Sequence, residues 1–160
     1  MSGLTAEATG TDAGEYPVNV TGTAVVKDAT GNDVTSQFKV HAVNGTLTIS
    51  KRQLTLTSAT DSKQYDGKAL TNNTVTVAGD GFATGEGAGY TVTGAQTLPG
   101  SNANAFTYTL NAGTKTDNYD ITKVEGTLTV TDRTQKYAIE VTANSGSYVY
   151  NGSAAVAEGF

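Results

Sequence analysis

The 160-residue sequence predicts an all-β fold of small antiparallel modules arranged in tandem. Three features support this prediction. Apolar residues alternate with threonine over several short segments, which is the pattern of half-buried antiparallel strands. Glycine-containing turn sequences separate these segments. A tract of 15 residues also recurs later in the chain, which is typical of an array of similar units rather than of one large domain.

The predicted strands share one rule, in which an apolar residue occupies every second position and threonine fills many positions between. Threonine is β-branched and suits the exposed face of a pleated strand. Leu54 and Leu56 mark an opening strand over 53–59, and Leu128 and Val130 mark a closing strand. No window has the i, i+3, i+4, i+7 spacing of a long amphipathic helix. Three further alternating segments lie at 75–77, 90–92 and 106–110.

The repeated tract covers 35–49 and then 116–130, with a period of 81 residues and no gap. Its apolar positions coincide in both copies, so we expect the same positions to build the core of each unit. The matched pairs are Phe38 with Tyr119, Val40 with Ile121, Gly45 with Gly126, Leu47 with Leu128, and Ile49 with Val130.

A second signature is the turn sequence Tyr65-Asp66-Gly67, which returns 85 residues later as Tyr150-Asn151-Gly152. Asp-Gly and Asn-Gly are preferred pairs for a type I′ hairpin, in which both central residues have positive φ. The sequence therefore predicts a hairpin at each place. An exposed tyrosine beside an acid would also suit sugar stacking. A structural turn is favoured because every unit needs its turn.

These signatures divide the chain into three parts. Residues 1–50 hold the later strands of one repeat, residues 51–133 form one complete repeat, and residues 134–160 begin a further repeat. We therefore expect the sequence to be an internal piece of a longer secreted chain. In the first part, Tyr16–Val20 is matched with Phe106–Leu110.

That match leaves a nine-residue insertion around 27–33, which is interpreted as a longer hairpin. In the last part, an opening strand is predicted over Tyr137–Ala143. Both end parts then have strands without partners, and open strand edges seek pairing. Two chains could complement each other by strand exchange, because the missing front of the first part resembles what the last part supplies. The alternative is that both end parts are partly disordered or pack weakly on the middle unit.

Composition argues against several classes of protein. The net charge is −5 and there is no basic cluster, so we expect no nucleic-acid partner. The chain has no cysteine, which rules out disulfides and thiolate metal sites. No apolar stretch reaches the length of a membrane span, so no membrane insertion is expected. The N-terminus also lacks the pattern of a signal peptide.

Two acidic loops are candidates for calcium, one with Asp28, Asn32 and Asp33 and the other with Asp80 and Glu86. Neither has the spacing of an EF-hand, and acidic loop residues are commonly solvated turn formers. The sequence therefore predicts no metal ion and no cofactor.

Catalysis is not expected either. His41 is the only histidine, and the matching position of the other copy is Thr122, so no repeated Ser/His/acid arrangement exists. The glycine-rich segment 79–89 neither follows a buried parallel strand nor opens a helix, as a phosphate cradle would. Nothing in the sequence locates a glycosidase-type pair of carboxylates. We predict no catalytic residue.

The early Tyr65-Asp66-Gly67, followed by Asn118–Thr122 and Gly126–Val130, resembles the tandem YDG or MBG-type β-repeats of bacterial cell-surface adhesin-like proteins. The resemblance covers essentially the whole chain. It implies compact all-β modules, either Ig-like sandwiches or β-grasp-like units, in an elongated arrangement. Short linkers such as 50–52 and 132–134 would limit bending between them.

The same resemblance implies a non-catalytic, extracellular stalk or spacer at the cell surface or cell wall, with adhesion as an added role. Its partners would be neighbouring repeat modules, with host glycans or mucin as further candidates. The alternative function is a glycan- or mucin-binding module that uses exposed tyrosines or the glycine-rich loop. Intramolecular Lys–Asn isopeptide bonds, known in some bacterial surface modules, would suit a chain without cysteine. The residues expected to matter are structural ones.

Overall fold

The computed structural model describes residues 1–160 and confirms the all-β fold. Eleven strands and two 3-10 helices, Thr35–Gln37 and Thr116–Asn118, make up the regular structure. None of its helices has the length and apolar character needed to cross a membrane. The strands are β1 Ser2–Glu7, β2 Gly14–Val25, β3 Gly45–Ile49, β4 Arg52–Ser58, β5 Asp61–Gln64, β6 Val75–Gly79, β7 Ala88–Val92, β8 Gly100–Ala103, β9 Phe106–Leu110, β10 Tyr119–Val124 and β11 Thr127–Thr131.

These strands form four small sheets. In the first part of the chain, β2 pairs antiparallel with both β1 and β3. In the middle part, β4 lies between β10 and β6, β11 lies between β5 and β8, and β7 pairs with β9. Each of the two three-stranded sheets joins the beginning of the segment 51–133 to its end. This segment therefore closes on itself as one unit, which we call the middle unit.

The predicted antiparallel pairing does not hold for two strand pairs. β10 runs parallel to β4, with Ile121 opposite Leu54, and β11 runs parallel to β5, with Leu128 opposite Asp61. Parallel strands need a long connection, and the intervening residues, which contain β6 to β9, supply it. The alternating pattern shows which face of a strand is buried, but it does not show the direction of the neighbouring strand.

The core of the middle unit draws on both of its ends. Leu128 and Val130 of β11 pack with Leu70, and Tyr65 packs against this cluster. Ile121 of β10 is half-buried. The apolar side chains that are buried are Leu54, Leu56, Leu70, Phe106, Tyr119, Leu128 and Val130.

Gly126 connects β10 to β11 at a point where a side chain has no room. A Cβ atom there would lie 2.4 Å from the carbonyl oxygens of Ser58 and Ala59. The N–H of Gly126 donates to the Ser58 hydroxyl at 2.9 Å. The glycine is therefore required by the close approach of two backbone segments.

The prediction of type I′ hairpins is wrong. Gly67 has a φ of 79°, but no residue other than glycine has positive φ, so Asp66 cannot fill its place in such a turn. The Asp66 carboxylate instead accepts hydrogen bonds from the Lys68 N–H and the Lys63 ammonium. The turn also ends β5, which pairs with β11 and not with the next strand. The same correction holds at 150–152, where only Gly152 has positive φ.

Strand pairing also changes the match between the first part and the middle unit. In the first part, Val20 of β2 pairs with Ala6 of β1. In the middle unit, Phe106 of β9 pairs with Val92 of β7. The two strand pairs therefore correspond with an offset of 86 residues. The match of Tyr16–Val20 with Phe106–Leu110 is therefore wrong by four residues. Because the later tract keeps its period of 81, the insertion is 86 − 81 = 5 residues rather than nine. It is a tight hairpin, in which Lys27 pairs with Asp33.

Residues 134–160 contain no strand, so the strand predicted over Tyr137–Ala143 is absent. The side chain of Ile139 is 83% exposed, whereas Leu54 at the matching position of the middle unit is 2% exposed. A half-apolar strand gains little by extending into water. The counterpart of 137–143 in the middle unit is β4, which is flanked by β10 and β6. Residues 134–160 hold no equivalents of these two strands.

Candidate inter-module junction

The first part of the chain meets the middle unit through a charged cluster. Only Ser50 and Lys51 separate β3 from β4, so the two parts lie next to each other. Asp12 lies in the connection between β1 and β2, and Lys115 and Asn118 lie at the two ends of the 3-10 helix that precedes β10. We call Asp12, Lys115 and Asn118 the junction cluster.

The junction cluster is closed by three polar contacts. The Lys115 ammonium donates to Asp12 Oδ2 at 2.7 Å, and the Asn118 amide donates to Asp12 Oδ1 at 3.0 Å. The side-chain carbonyl oxygen of Asn118 (Oδ1) in turn accepts from the backbone N–H of Ala13 at 2.7 Å. Within the first part, the Tyr16 hydroxyl donates to the Asp12 carbonyl at 2.8 Å. One aspartate is thus held from both sides of the junction.

The ion pair changes the pKa values of both partners. The hydrogen bond from Lys115, followed by the one from Asn118, lowers the pKa of the Asp12 carboxyl below its usual 3.8. The bond to Asp12 raises the pKa of Lys115 above its usual 10.5. Because both side chains are exposed, the pair contributes little stability by itself. It joins the first part to the middle unit through a directed contact between two side chains.

Arg52 fixes the first residue of the middle unit after the linker. Its Nε donates to the carbonyl oxygen of Gly81 at 2.8 Å, and a terminal guanidinium nitrogen donates to the carbonyl oxygen of Asp80. The Asp80 carboxylate accepts from the backbone N–H of Gln53 at 2.8 Å. The linker therefore ends in a backbone anchored at several points.

Tyr119 holds the glycine-rich segment against the junction. Its hydroxyl donates to the Glu86 carboxylate at 2.5 Å and accepts from the Ala83 N–H at 3.0 Å. Its ring centroid lies 5.2 Å from that of Phe82. Burial, and then the bond to Glu86, raises the pKa of Tyr119, so the hydroxyl stays protonated as a donor. The segment 79–89 is thus one wall of the junction.

A cleft of about 400 Å³ lies along this seam. Thr11, Ala13 and Ile49 line it from the first part, and Arg52 and Glu86 line it from the middle unit. The cleft is formed by two parts of the chain together.

The calcium candidates are all engaged in hydrogen bonds within the protein. Asp28 accepts from the Thr30 hydroxyl and the Asn32 N–H, and these bonds lower the pKa of its carboxyl to about 2. Asp33 accepts from the Thr35 hydroxyl, and Asp80 accepts from a backbone N–H at the end of the linker. No three His, Asp or Glu side chains come together in the arrangement of a metal site. His41 is exposed, on the segment that follows the first 3-10 helix.

The predicted signature residues and the junction cluster occupy different places. Tyr65, Gly126, Leu128 and Val130 serve the interior of the middle unit, whereas Tyr119 serves both the interior and the junction. Sequence reasoning missed Asp12 and Lys115, and it named Asn118 only as part of the repeat motif. Asp12 and Lys115 are 103 residues apart, and no local pattern connects them.

Comparisons with models of protein families, with curated proteins and with solved structures found no match to this chain. The resemblance to YDG or MBG-type repeats therefore depends on the sequence motifs alone. The fold and the junction are the structural features that bear on what the chain does.

Proposed function

We propose that this chain is a non-catalytic, extracellular segment of a bacterial surface protein, serving as a stalk or spacer that can carry adhesion. The observation that carries the proposal is the junction cluster, in which Asp12 is held by Lys115 and Asn118 across two repeat-related parts. A spacer needs joints of this kind, because freely hinged modules would not keep a distal region away from the cell.

The mechanism is geometric. A two-residue linker restricts the reach of the chain between β3 and β4. The junction cluster then restricts rotation about that linker, since it joins Asp12 and Ala13 of the first part to Lys115 and Asn118 of the middle unit. Repetition of such joints along an array would give an elongated arrangement with limited bending. The neighbouring repeat modules are thus the first partners of each unit.

Distance measurements between two spin labels test this proposal. The chain has no cysteine, so labels can be placed cleanly at Thr23→Cys in β2 and Thr107→Cys in β9. We expect one narrow distance distribution, which broadens when Lys115→Met removes the ion pair. Lys63→Met is the matched control, because its partner Asp66 lies within the middle unit. A broad distribution with Lys115 intact would refute a fixed joint.

A glycan- or mucin-binding role is the second candidate, and one cleft favours it. Tyr65, Arg133 and Tyr137 line a cleft of about 430 Å³ at the end of the middle unit. The Arg133 guanidinium lies 4.1 Å from the centroid of the Tyr137 ring. Aromatic faces beside a cation suit acidic sugars. A glycan array probed with the full chain tests this role. Glycan binding that survives Tyr137→Ala would contradict the assignment of the binding site to this cleft.

A further inference from the structure

The first two and the last two strands of the middle unit form one parallel ladder. Segment 52–64 contains β4 and β5, and segment 119–131 contains β10 and β11. Arg52 lies opposite Tyr119, and Asp61 lies opposite Leu128. Both strand pairs therefore share one register offset, 119 − 52 = 128 − 61 = 67 residues. The two segments run side by side in the same direction, and we call them the terminal ladder.

Two side-chain hydroxyls continue the terminal ladder between its strand pairs. The Gly126 N–H donates to the Ser58 hydroxyl at 2.9 Å. The Thr127 N–H donates to the Thr60 hydroxyl at 3.1 Å. Both backbone N–H groups thus keep a partner on the opposite segment, although no strand pairing is present at this point. Hydrogen bonding between the two segments therefore passes from one strand pair into the next.

The terminal ladder is also the best-buried part of the middle unit. The strands at its two ends, β4 and β11, are the central strands of their sheets, because β6 pairs with β4 and β8 pairs with β11 on the other side. Surroundings of low dielectric strengthen hydrogen bonds. Five of the seven buried apolar side chains belong to the ladder, and these are Leu54, Leu56, Tyr119, Leu128 and Val130.

Tension along the chain would load this ladder in shear. The chain enters the middle unit at the beginning of β4 and leaves it at the end of β11. Because the two segments are parallel, these two points lie at opposite ends of the ladder. Pulling on them makes the segments slide along each other, so the hydrogen bonds between the segments carry the load together. Pulling on two points at the same end would instead break the bonds one after another.

We propose that the middle unit is a load-bearing element, in which the terminal ladder resists tension applied through the two ends of the unit. The proposal deepens the stalk function and rests on it for its biological role, because a spacer at a cell surface has to transmit force. The mechanical property itself follows from strand order and direction. Forced unfolding is governed by the rate of unfolding, so resistance to pulling depends on the direction of the force as well as on the free energy of unfolding.

Single-molecule pulling of the full chain in two directions tests the proposal. The chain has no cysteine, so handles can be attached at Lys51→Cys and Asp132→Cys, at opposite ends of the ladder. The control pair is Lys68→Cys with the same Asp132→Cys, which pulls on β5 and β11 from the end they share. All three side chains are exposed. At one loading rate, we expect a severalfold higher unfolding force for the first pair. Equal forces, or a higher force for the control pair, would overturn the proposal.

The hydroxyl link in the ladder is tested in the same pulling direction. Thr60→Val removes the hydroxyl that accepts from Thr127 and keeps the shape of the side chain. Thr76→Val is the matched control, because the exposed Thr76 hydroxyl donates to the Thr57 carbonyl on the β6 side of β4, outside the ladder. We expect a lower unfolding force between 51 and 132 for Thr60→Val and an unchanged force for Thr76→Val. Equal forces in both variants would overturn the continuity of the ladder.

A further variant separates this proposal from the fixed joint of the stalk. Lys115→Met removes the ion pair to Asp12, which lies outside the ladder. We expect it to leave the unfolding force between 51 and 132 unchanged, even where the spin-label distances show that the joint has loosened. A force that falls as far in Lys115→Met as in the same-end pulling direction would show that the joint carries the load, and would overturn the role of the ladder.

Discussion

Ser58 and Asn104 form the buried polar link of the middle unit. The Ser58 hydroxyl donates to the backbone carbonyl oxygen of Asn104 at 2.6 Å. Both residues are almost fully buried, at 1% and 0% exposure. The Asn104 amide also donates to the carbonyls of Ala59 and Asn72, at 2.9 Å and 2.8 Å. One asparagine thus links its own segment to the end of β4 and to the segment that precedes β6.

Replacing Asn104 should therefore be costly. Asn104→Ala leaves two carbonyl oxygens without their donor, and we expect the free energy of unfolding to fall by roughly 2–4 kcal/mol. Asn102→Ala, an exposed amide nearby, is the control and should change it by less than about 0.5 kcal/mol. Chemical denaturation of the full chain measures both. Equal effects of the two substitutions would contradict the role given to Asn104.

Gly126→Ala and Gly45→Ala compare the same repeat position in two surroundings. A methyl group at Gly126 would meet two carbonyl oxygens at 2.4 Å, so we expect a loss of about 1–3 kcal/mol or more. At Gly45 the nearest atom is 3.6 Å away, and the stability of the single chain should be nearly unchanged. Thermal unfolding in dilute solution measures the difference. A tolerated Gly126→Ala would refute the close backbone approach.

The Asp12–Lys115 pair makes the junction sensitive to pH at both extremes. The pKa of Asp12 is lowered, so its contribution is present above about its usual 3.8 and is lost as the pH falls through the lowered value. The pKa of Lys115 is raised, so its contribution is present below its usual 10.5 and is lost as the pH rises through the raised value. The junction should therefore be tightest between these limits.

Carboxyl carbon chemical shifts measured against pH by NMR check this expectation. Lys115→Met should raise the pKa of Asp12 toward 3.8, because it removes the main cause of the shift. Lys63→Met should raise the pKa of Asp66 and leave that of Asp12 unchanged, since Lys63 pairs only with Asp66. An Asp12 pKa that does not respond to Lys115→Met would contradict the ion pair.

The intact mass of the protein tests for an isopeptide bond. Lys115, Asp12 and Asn118 bring together the three residue types that such a bond requires. The cluster is exposed, and Asp12 keeps the Lys115 amine protonated, so the amine is not a nucleophile. We expect the full calculated mass. A mass lower by one ammonia would show that a bond has formed.

The sequence predicted the strands more successfully than it predicted their neighbours. Alternation located Leu54 and Leu56 on β4 and Leu128 and Val130 on β11, because burial of one face is a local property of a strand. Strand direction is not local, and the parallel β10–β4 pair was missed for that reason. The type I′ prediction failed at Asp66 because its carboxylate bonds to the Lys68 N–H, a local alternative that the residue types equally allow.

The junction could not be predicted from one copy of the repeat. Asp12 and Lys115 are far apart in sequence, and each looks like an ordinary surface charge. Their partnership becomes visible only in the folded structure, where the β1–β2 connection meets the 3-10 helix that precedes β10.

Residual dipolar couplings of the full-length chain test the fixed joint most directly. The couplings report the orientation of the first part and of the middle unit separately, without a spin label or a substitution. A fixed joint predicts that one alignment tensor fits the amides of residues 2–25 and those of residues 52–131 together. Two tensors of different magnitude near neutral pH would show that the parts reorient independently, and would contradict the proposed stalk.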